Sequence, residues 1–122
     1  MNIHKSAEDY LEMILMLSEE KTYVRSIDIA SALGVTKPSV SYAMKQLREN
    51  GYITMDADGL ISLTQSGMDI AQSMFERHTL LTRLLVTLGV SPEVAAEDAC
   101  KIEHAISDES FEAIKRWAAR ME

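Results

Sequence analysis

Apolar residues recur at intervals of three and four along the first fifty residues, and this spacing predicts three helices. The first covers residues 6–20 and has an acidic outer face, the second begins at residue 26, and the third covers residues 36–50. Gly34 is suited to the left-handed conformation that commonly follows a last helical turn, so we expect it to end the second helix. Thr36 is suited to cap the third, because its hydroxyl can accept a hydrogen bond from a first-turn amide.

After residue 51 the apolar period shortens to two, which is typical of β-strands. The segments "YITMD" and "LISLT" predict a small hairpin, with the Asp58-Gly59 pair supplying its turn. Three further helices follow, at residues 65–88, at 91–106 and from 107 onward. The apolar stripe of the 65–88 helix is wider than one neighbouring helix needs, so we expect it to contact a second partner surface.

Two short helices joined by "LGVTKP", the second of them basic and followed directly by a hairpin, have the order of a winged helix-turn-helix. In this turn we expect Gly34 to reverse the backbone and Val35 to pack as an apolar plug between the helices. The sequence therefore predicts a mainly α protein. Residues 1–64 would form a winged helix-turn-helix DNA-binding domain with a small β-hairpin wing, and residues 65–122 a helical domain.

The side chains left outside the apolar stripe of the third helix are of types that bind phosphates and base edges. They are Lys37, Ser39, Ser41, Tyr42, Lys45, Gln46 and Arg48. The whole chain has a net charge of -7, but residues 25–55 contain four cations and only two anions, so this part is suited to phosphate contacts. An ordinary solvated helix would also show Lys, Gln and Ser. The complete order of helix, turn, helix and wing favours DNA binding over that alternative.

Two groups of potential metal ligands occur at helical spacings. Asp9 and Glu12 are three residues apart and fall outside the apolar stripe of the first helix. Cys100, Glu103 and His104 stand at i, i+3 and i+4, which places them on one face of another helix. Each group therefore presents its donor atoms to one side.

His78 lies on the apolar stripe of the 65–88 helix, and we expect it to point inward. Taken singly, such residues have ordinary explanations: a hydrogen-bonded core histidine, a solvated pair of carboxylates, a packed cysteine. A divalent cation would be a reason for Asp9, Glu12 and Glu103 to meet at a helix junction, where bare carboxylates would repel one another. The residues alone leave both interpretations open.

Over nearly its whole length the chain resembles the metal-dependent transcriptional repressors typified by the diphtheria toxin repressor and the manganese transport regulator. The resemblance rests, in chain order, on "SAEDYLEMI", "SIDIASALGVTKPSVSYAMKQLRENGYI", "LTQSG", "ERHTLL" and "EDACKIEHAISDE". It implies a homodimer that binds a palindromic operator in double-stranded DNA when Mn(II) or Fe(II) is bound. It also assigns metal binding and dimerisation to the helical domain.

The resemblance implies roles for particular residues. The implied metal ligands are Asp9, Glu12, His78, Cys100, Glu103 and His104. The implied DNA contacts are made by Ser26, Thr36, Pro38 and Tyr42. Ser26 would bind phosphate through its helix N-terminus, where backbone amides favour an anion.

The ligand positions mix two branches of that family. Manganese-type members carry an acidic residue where this chain has Cys100, and iron-type members carry Met where it has Asp9. Carboxylates favour Mn(II), whereas a thiolate favours Fe(II), Co(II) or Zn(II) and is also oxidisable, so the residues leave the metal open. The iron branch also has a second, ancillary metal site. Ala96 and Thr82 occupy positions where that site would need ligands, so we do not expect it here. We expect no SH3-like domain, and therefore the short architecture of the manganese regulators.

Composition argues against several other classes of protein. The apolar stretches are too short to span a membrane and the N-terminus lacks the apolar region of a signal peptide, so we expect a cytoplasmic location and no membrane partner. A single cysteine rules out an intrachain disulfide. We expect no enzymatic activity, since no substrate-cleft motif or nucleophile–base pair accompanies the candidate ligands. The main alternative is a winged-helix regulator with an organic effector or none, in which Cys100 and His78 are core residues.

Overall fold

The computed structural model describes residues 5–121, which contain six helices and one antiparallel pair of strands. In chain order the elements are α1 (Lys5–Glu20), α2 (Ser26–Leu33), α3 (Lys37–Glu49), β1 (Ile53–Met55), β2 (Ile61–Leu63), α4 (Gln65–Thr87), α5 (Pro92–Ala105) and α6 (Asp108–Met121). The predicted fold class is confirmed: a mainly α chain with a small hairpin after its third helix. The chain divides into two compact units between Ser73 and Met74.

The first unit folds around an apolar core to which α1, α2, α3, both strands and the start of α4 contribute. Its most enclosed side chains include Leu11, Ile14, Ile29, Val40 and Ile53. Removing a side chain of this size from water contributes roughly 1.5–3 kcal/mol, which makes this core the main stabilising element of the unit.

The boundaries of α2 and α3 follow from their end residues. Gly34 follows the last turn of α2 with a φ of 66°, in the left-handed region that glycine adopts without strain. Thr36 caps α3 by accepting a hydrogen bond of 3.3 Å from the amide of Ser39. The predicted stripe of α3 is also confirmed, because this helix buries Val40, Met44 and Leu47.

The inner face of α2 differs from the prediction. The spacing of apolar residues predicts that Ile27 lies on the buried stripe of α2, yet it is 51% exposed. Val35, expected to plug the space between the helices, is 39% exposed. The buried residues of α2 are Ile29 and Ala30. Because α2 has only eight residues, a small change in its rotation about its own axis is enough to exchange one apolar residue for another in the core.

The start of α2 depends on an acidic residue in its first turn. Ser26 is the first helical residue and not the cap, while the Asp28 carboxylate accepts a 2.9 Å hydrogen bond from the amide of Arg25. The Lys21 ammonium, 2.9 Å from the other Asp28 oxygen, together with that amide, holds the pKa of Asp28 below its usual value. Asp28 therefore remains an anion at the positive end of the helix dipole.

Strands β1 and β2 form the predicted hairpin, with Thr54 paired to Ser62. Ile53 and Ile61 are buried in the core of the first unit. The turn between the strands contains Gly59 with a φ of 79°, which agrees with the expected role of the Asp-Gly pair.

The second unit contains most of α4, together with α5 and α6. Its buried apolar side chains are Met74, Leu81, Ala95, Ala99 and Phe111. The two alanines are four residues apart on α5, which gives that helix a narrow face that a neighbouring helix can approach closely. Within residues 5–121, no helix combines the length and apolar character needed to cross a bilayer.

Candidate metal centre and nucleic-acid interface

The carboxylate of Glu103 in the second unit lies between two imidazoles. One of its oxygens is 3.4 Å from Nδ1 of His78 on α4, and the other is 3.3 Å from Nε2 of His104 on α5. The Glu103 side chain is only 1% exposed. Burying a carboxylate costs free energy unless charge or hydrogen bonds compensate for the lost water, so this arrangement is suited to a positive charge.

Helix α5 supplies three donor atoms of different chemistry. The thiol of Cys100, a carboxylate oxygen of Glu103 and an imidazole nitrogen of His104 lie within 4.8 Å of one another. Their i, i+3 and i+4 spacing produces this convergence, because such residues project from one side of a helix. Imidazole, thiolate and carboxylate together suit a divalent transition metal better than Mg(II) or Ca(II), which prefer oxygen ligands alone. The residues present therefore fit the divalent cation that the family resemblance implies.

His78 is not enclosed as expected. Its side chain is 31% exposed, and the buried residue at this point of α4 is its neighbour Arg77. Both fall within the stripe between Met74 and Leu81, and rotation of the helix by a fraction of a turn decides which of them faces the interior. His78 nevertheless reaches the Glu103 carboxylate.

Arg77 is a residue of this centre that the sequence did not predict. One of its guanidinium nitrogens donates to the main-chain carbonyls of Glu103 (3.0 Å) and Ile106 (2.7 Å), and another pairs with the carboxylate of Asp108. The signal that could have revealed it is an Arg three residues after Met74 on an apolar stripe, since a buried guanidinium must be paired.

The other two predicted ligands, Asp9 and Glu12, belong to α1 in the first unit. The Asp9 carboxylate is 28% exposed and pairs with Lys5 Nζ at 3.4 Å. Glu12 is buried, although it was predicted to lie outside the apolar stripe. The apolar stripe predicted for α1 consists of Tyr10, Met13, Ile14 and Leu17. The helix buries a broader face than this, because Leu11 and Leu15 are also enclosed.

The predicted DNA-contacting residues are in the first unit, and most form an exposed face of α3. Eight are exposed to solvent: Thr36, Lys37, Pro38, Ser39, Ser41, Tyr42, Lys45 and Arg48. Ser26 and Gln46 are half-buried. Tyr42, at 67% exposed, is a large side chain that the core of its own unit does not cover.

Four of these residues surround a shallow recess of about 150 Å³. Ser26 comes from α2, while Ser41, Lys45 and Arg48 come from successive turns of α3. Two hydroxyls and two cations around one recess are the groups that bind phosphate oxygens. The Thr36 hydroxyl, in contrast, is engaged in capping α3 and lies 2.8 Å from the hydroxyl of Ser39.

Comparison with known protein families covers almost the entire chain. Residues 2–59 match the family model described as iron dependent repressor, N-terminal DNA binding domain. Residues 64–121 match the one described as iron dependent repressor, metal binding and dimerisation domain.

Two transcriptional regulators are similar to this chain over about three quarters of their own length. The transcriptional regulator MntR of Escherichia coli O157:H7 is 39% identical over 113 residues, which are 93% of this chain and 73% of the relative. The HTH-type transcriptional regulator MntR of Bacillus pumilus is 38% identical over 109 residues, 89% of this chain and 76% of the relative.

Solved structures of similar fold are longer proteins. A manganese-dependent transcriptional repressor in complex with manganese has a TM-score of 0.83 and 32% identity, over 90% of this chain and 51% of that one. The IdeR protein of T. acidophilum has a TM-score of 0.77 and 28% identity, over 97% of this chain and 55% of that one. The chain thus spans about half the length of these solved relatives.

Proposed function

The chain belongs to the family of iron-dependent repressors, and on that premise we propose that it is a DNA-binding transcriptional repressor of metal-ion homeostasis that responds to Mn(II) or Fe(II). The observation that supports this most directly is the Glu103 carboxylate, enclosed between the imidazoles of His78 and His104. In this role the metal regulates DNA binding and does not catalyse hydrolysis, and the protein acts in the cytoplasm with the DNA.

The proposed metal ligands are the convergent side chains of the second unit and two carboxylates of α1. They are Asp9, Glu12, His78, Cys100, Glu103 and His104. The acidic pair on α1 supports this assignment, since Glu12 is buried and a buried carboxylate needs a compensating charge. When bound, a divalent cation supplies the positive charge that three carboxylates need in order to converge.

The proposed DNA-binding part is residues 1–64, with α3 in the major groove. Lys45, Arg48 and Ser26 around the recess would contact phosphates, while Tyr42 and Gln46 would reach base edges. The remaining proposed contacts are Thr36, Lys37, Pro38, Ser39 and Ser41. The phosphate contacts would position the protein on the duplex, and the base contacts would distinguish one sequence from another.

Residues 65–122 are proposed to bind metal and to form a homodimer. A mostly apolar groove of about 240 Å³ runs between α4 and α6 in the second unit. It is lined by Leu80, Leu84, Trp117, Ala118 and Met121, together with Arg83 and Thr87. We assign it to a second copy of the chain. A symmetric dimer would present two α3 helices to half-sites roughly 34–36 Å apart, which explains a palindromic operator.

The proposed regulation is a coupling between metal and DNA. If the ligands of α1 and α5 are bridged only when metal is bound, metal favours the arrangement of the two domains that binds DNA. Coupling of this kind is typically about 1–3 kcal/mol, and it is reciprocal, so DNA would also tighten metal binding.

The test is to select a binding sequence from a random duplex library in the presence of Mn(II), and to measure affinity for the enriched duplex by fluorescence anisotropy. We expect an inverted repeat, bound about 5–150-fold more tightly with Mn(II) or anaerobic Fe(II) than with chelator. Equal affinity in all three conditions would overturn the metal response and favour a regulator with another effector or none.

A further inference from the structure

We propose that Arg77 is a positioning residue that fixes Glu103 for metal binding; this inference rests on the proposed function. Arg77 lies on α4, immediately before His78, and is 7% exposed. It is of a residue type that does not bind metal ions, so its effect on the metal would have to act through the residues that it holds.

The guanidinium of Arg77 holds the last turn of α5. Its Nη1 donates to the carbonyl of Glu103 at 3.0 Å and to that of Ile106 at 2.7 Å. Helix α5 ends at Ala105, so these carbonyls are among the last four of the helix or follow it, where helical partners are lacking. A cation at this end is also favoured by the helix dipole.

The same guanidinium contacts the start of α6. Its Nη2 pairs with the carboxylate of Asp108, and its Cζ lies 5.3 Å from the centre of the Phe111 ring. One side chain of α4 thus connects the end of α5 with the first turn of α6. The planar fork of Arg can donate in several fixed directions at once, which a Lys ammonium on a flexible stem cannot reproduce.

Consecutive residues of α4 therefore contact Glu103 at two points. Arg77 bonds its main-chain carbonyl, and His78 lies 3.4 Å from its carboxylate. Fixing the backbone at Glu103 also limits movement of His104, which is the next residue. The donor atoms on α5 are in this way held towards His78 in advance, and less ordering is left for metal binding to accomplish.

The experiment measures Mn(II) affinity by calorimetry, and the visible absorption of the Co(II)-loaded protein, on the full chain without DNA. In Arg77→Lys we expect the Kd for Mn(II) to rise about 10–100-fold, as is typical for partners that orient metal ligands. The Co(II) bands should also change, because they report the arrangement of ligand atoms. A general loss of stability would not by itself alter those bands.

A second variant covers the case in which Arg77→Lys fails to fold. Asp108→Ala removes one partner of Arg77 at a side chain that is 94% exposed, and it should raise the Kd in the same direction but by less. The matched control is Glu76→Gln, which removes another pairing of α4 with α6. Glu76 lies 2.9 Å from Lys115 Nζ, raises the pKa of that lysine, and is half-exposed. We expect it to leave the Kd and the Co(II) bands unchanged.

Two failures can be told apart. If the unmodified chain binds neither Mn(II) nor Co(II), the proposed function is overturned and this inference with it. If the unmodified chain binds metal, and the folded Arg77 or Asp108 variants have the same Kd and the same Co(II) bands as the unmodified chain, only the positioning role of Arg77 is overturned.

Discussion

Nδ1 of His78 lies 3.4 Å from the carboxylate of Glu103, so an imidazole of α4 faces a buried anion of α5. These residues are 25 positions apart in the sequence, and nothing in the local pattern of either helix requires them to meet. Their meeting makes Glu103 the most sensitive point at which to test the metal centre.

Replacing Glu103 by Gln should abolish stabilisation by metal without unfolding the metal-free protein. Gln has nearly the same shape and can still form hydrogen bonds there, so the free energy of unfolding without metal should stay about the same. In the unmodified protein, Mn(II) at a hundred times its Kd should add about 2.7 kcal/mol. Thermal unfolding with and without Mn(II) measures both quantities.

The control for this variant is Glu97→Gln, an exposed acidic residue on the same helix. It should keep the full response to Mn(II). An equal rise in Tm for the Glu103 variant and the unmodified protein would show that Glu103 does not bind the metal.

Replacing Arg48 by Ala should weaken DNA binding for all sequences alike. Arg48 borders the recess beside α3 with Lys45 and Ser26, where a phosphate contact is proposed. Losing one such contact should lower the slope of log affinity against log salt concentration by about one. Anisotropy titrations at several salt concentrations measure that slope. The control is Lys101→Ala, which removes an exposed cation on α5 and should leave the slope unchanged. If the Arg48 variant also keeps the slope of the unmodified protein, Arg48 does not contact a phosphate.

Replacing Ala118 by Glu should shift the protein from dimer to monomer. Ala118 lines the groove between α4 and α6, and a carboxylate there would be desolvated by a second copy. Because Glu is a good helix former, α6 itself should persist. Sedimentation velocity across a range of protein concentrations measures the shift. The control is Ala119→Glu, on the exposed side of α6, which should remain dimeric. If both variants remain dimeric, the dimer interface lies elsewhere.

Replacing Gly67 by Ala should destabilise the first unit, even though Ala normally favours a helix by about 1 kcal/mol. A Cβ on Gly67 would clash with the carbonyl oxygen of Tyr52, so the start of α4 would have to move away from Tyr52. We expect a loss of roughly 1–3 kcal/mol in the free energy of unfolding, measured with urea. The neighbouring exposed Ser66→Ala should be near neutral, and a similarly neutral Gly67 variant would contradict the close approach.

Most of the fold could be predicted because its signals are local. The helix boundaries at Gly34 and Thr36 depend only on residues close by in the sequence, and so does the apolar stripe of α3. The structure confirms all three predictions. Ile27 and Val35 are more exposed than predicted, because the side of the short α2 that faces inward, and the covering of the turn after it, depend on how the neighbouring elements pack. The period of apolar residues defines a stripe on a helix, but it does not determine how far the helix is rotated about its own axis.

The candidate site was predictable in part for the same reason. The spacing of Cys100, Glu103 and His104 on one helix determines that their donor atoms converge. The role of Arg77 could not be predicted in this way, because its partners are 26 to 31 residues away and two of them are main-chain carbonyls. Every residue has a main-chain carbonyl, so the sequence does not show which carbonyls accept a hydrogen bond from an arginine.

The chain has one tryptophan, and it is Trp117, which is 48% exposed on the wall of the groove between α4 and α6. Indole emission moves to shorter wavelength when water is excluded from the ring. The unlabelled protein therefore contains its own optical probe at the surface assigned to the second copy. Dilution of the protein should move the emission towards the red as the copies separate, so self-association can be followed at concentrations too low for sedimentation.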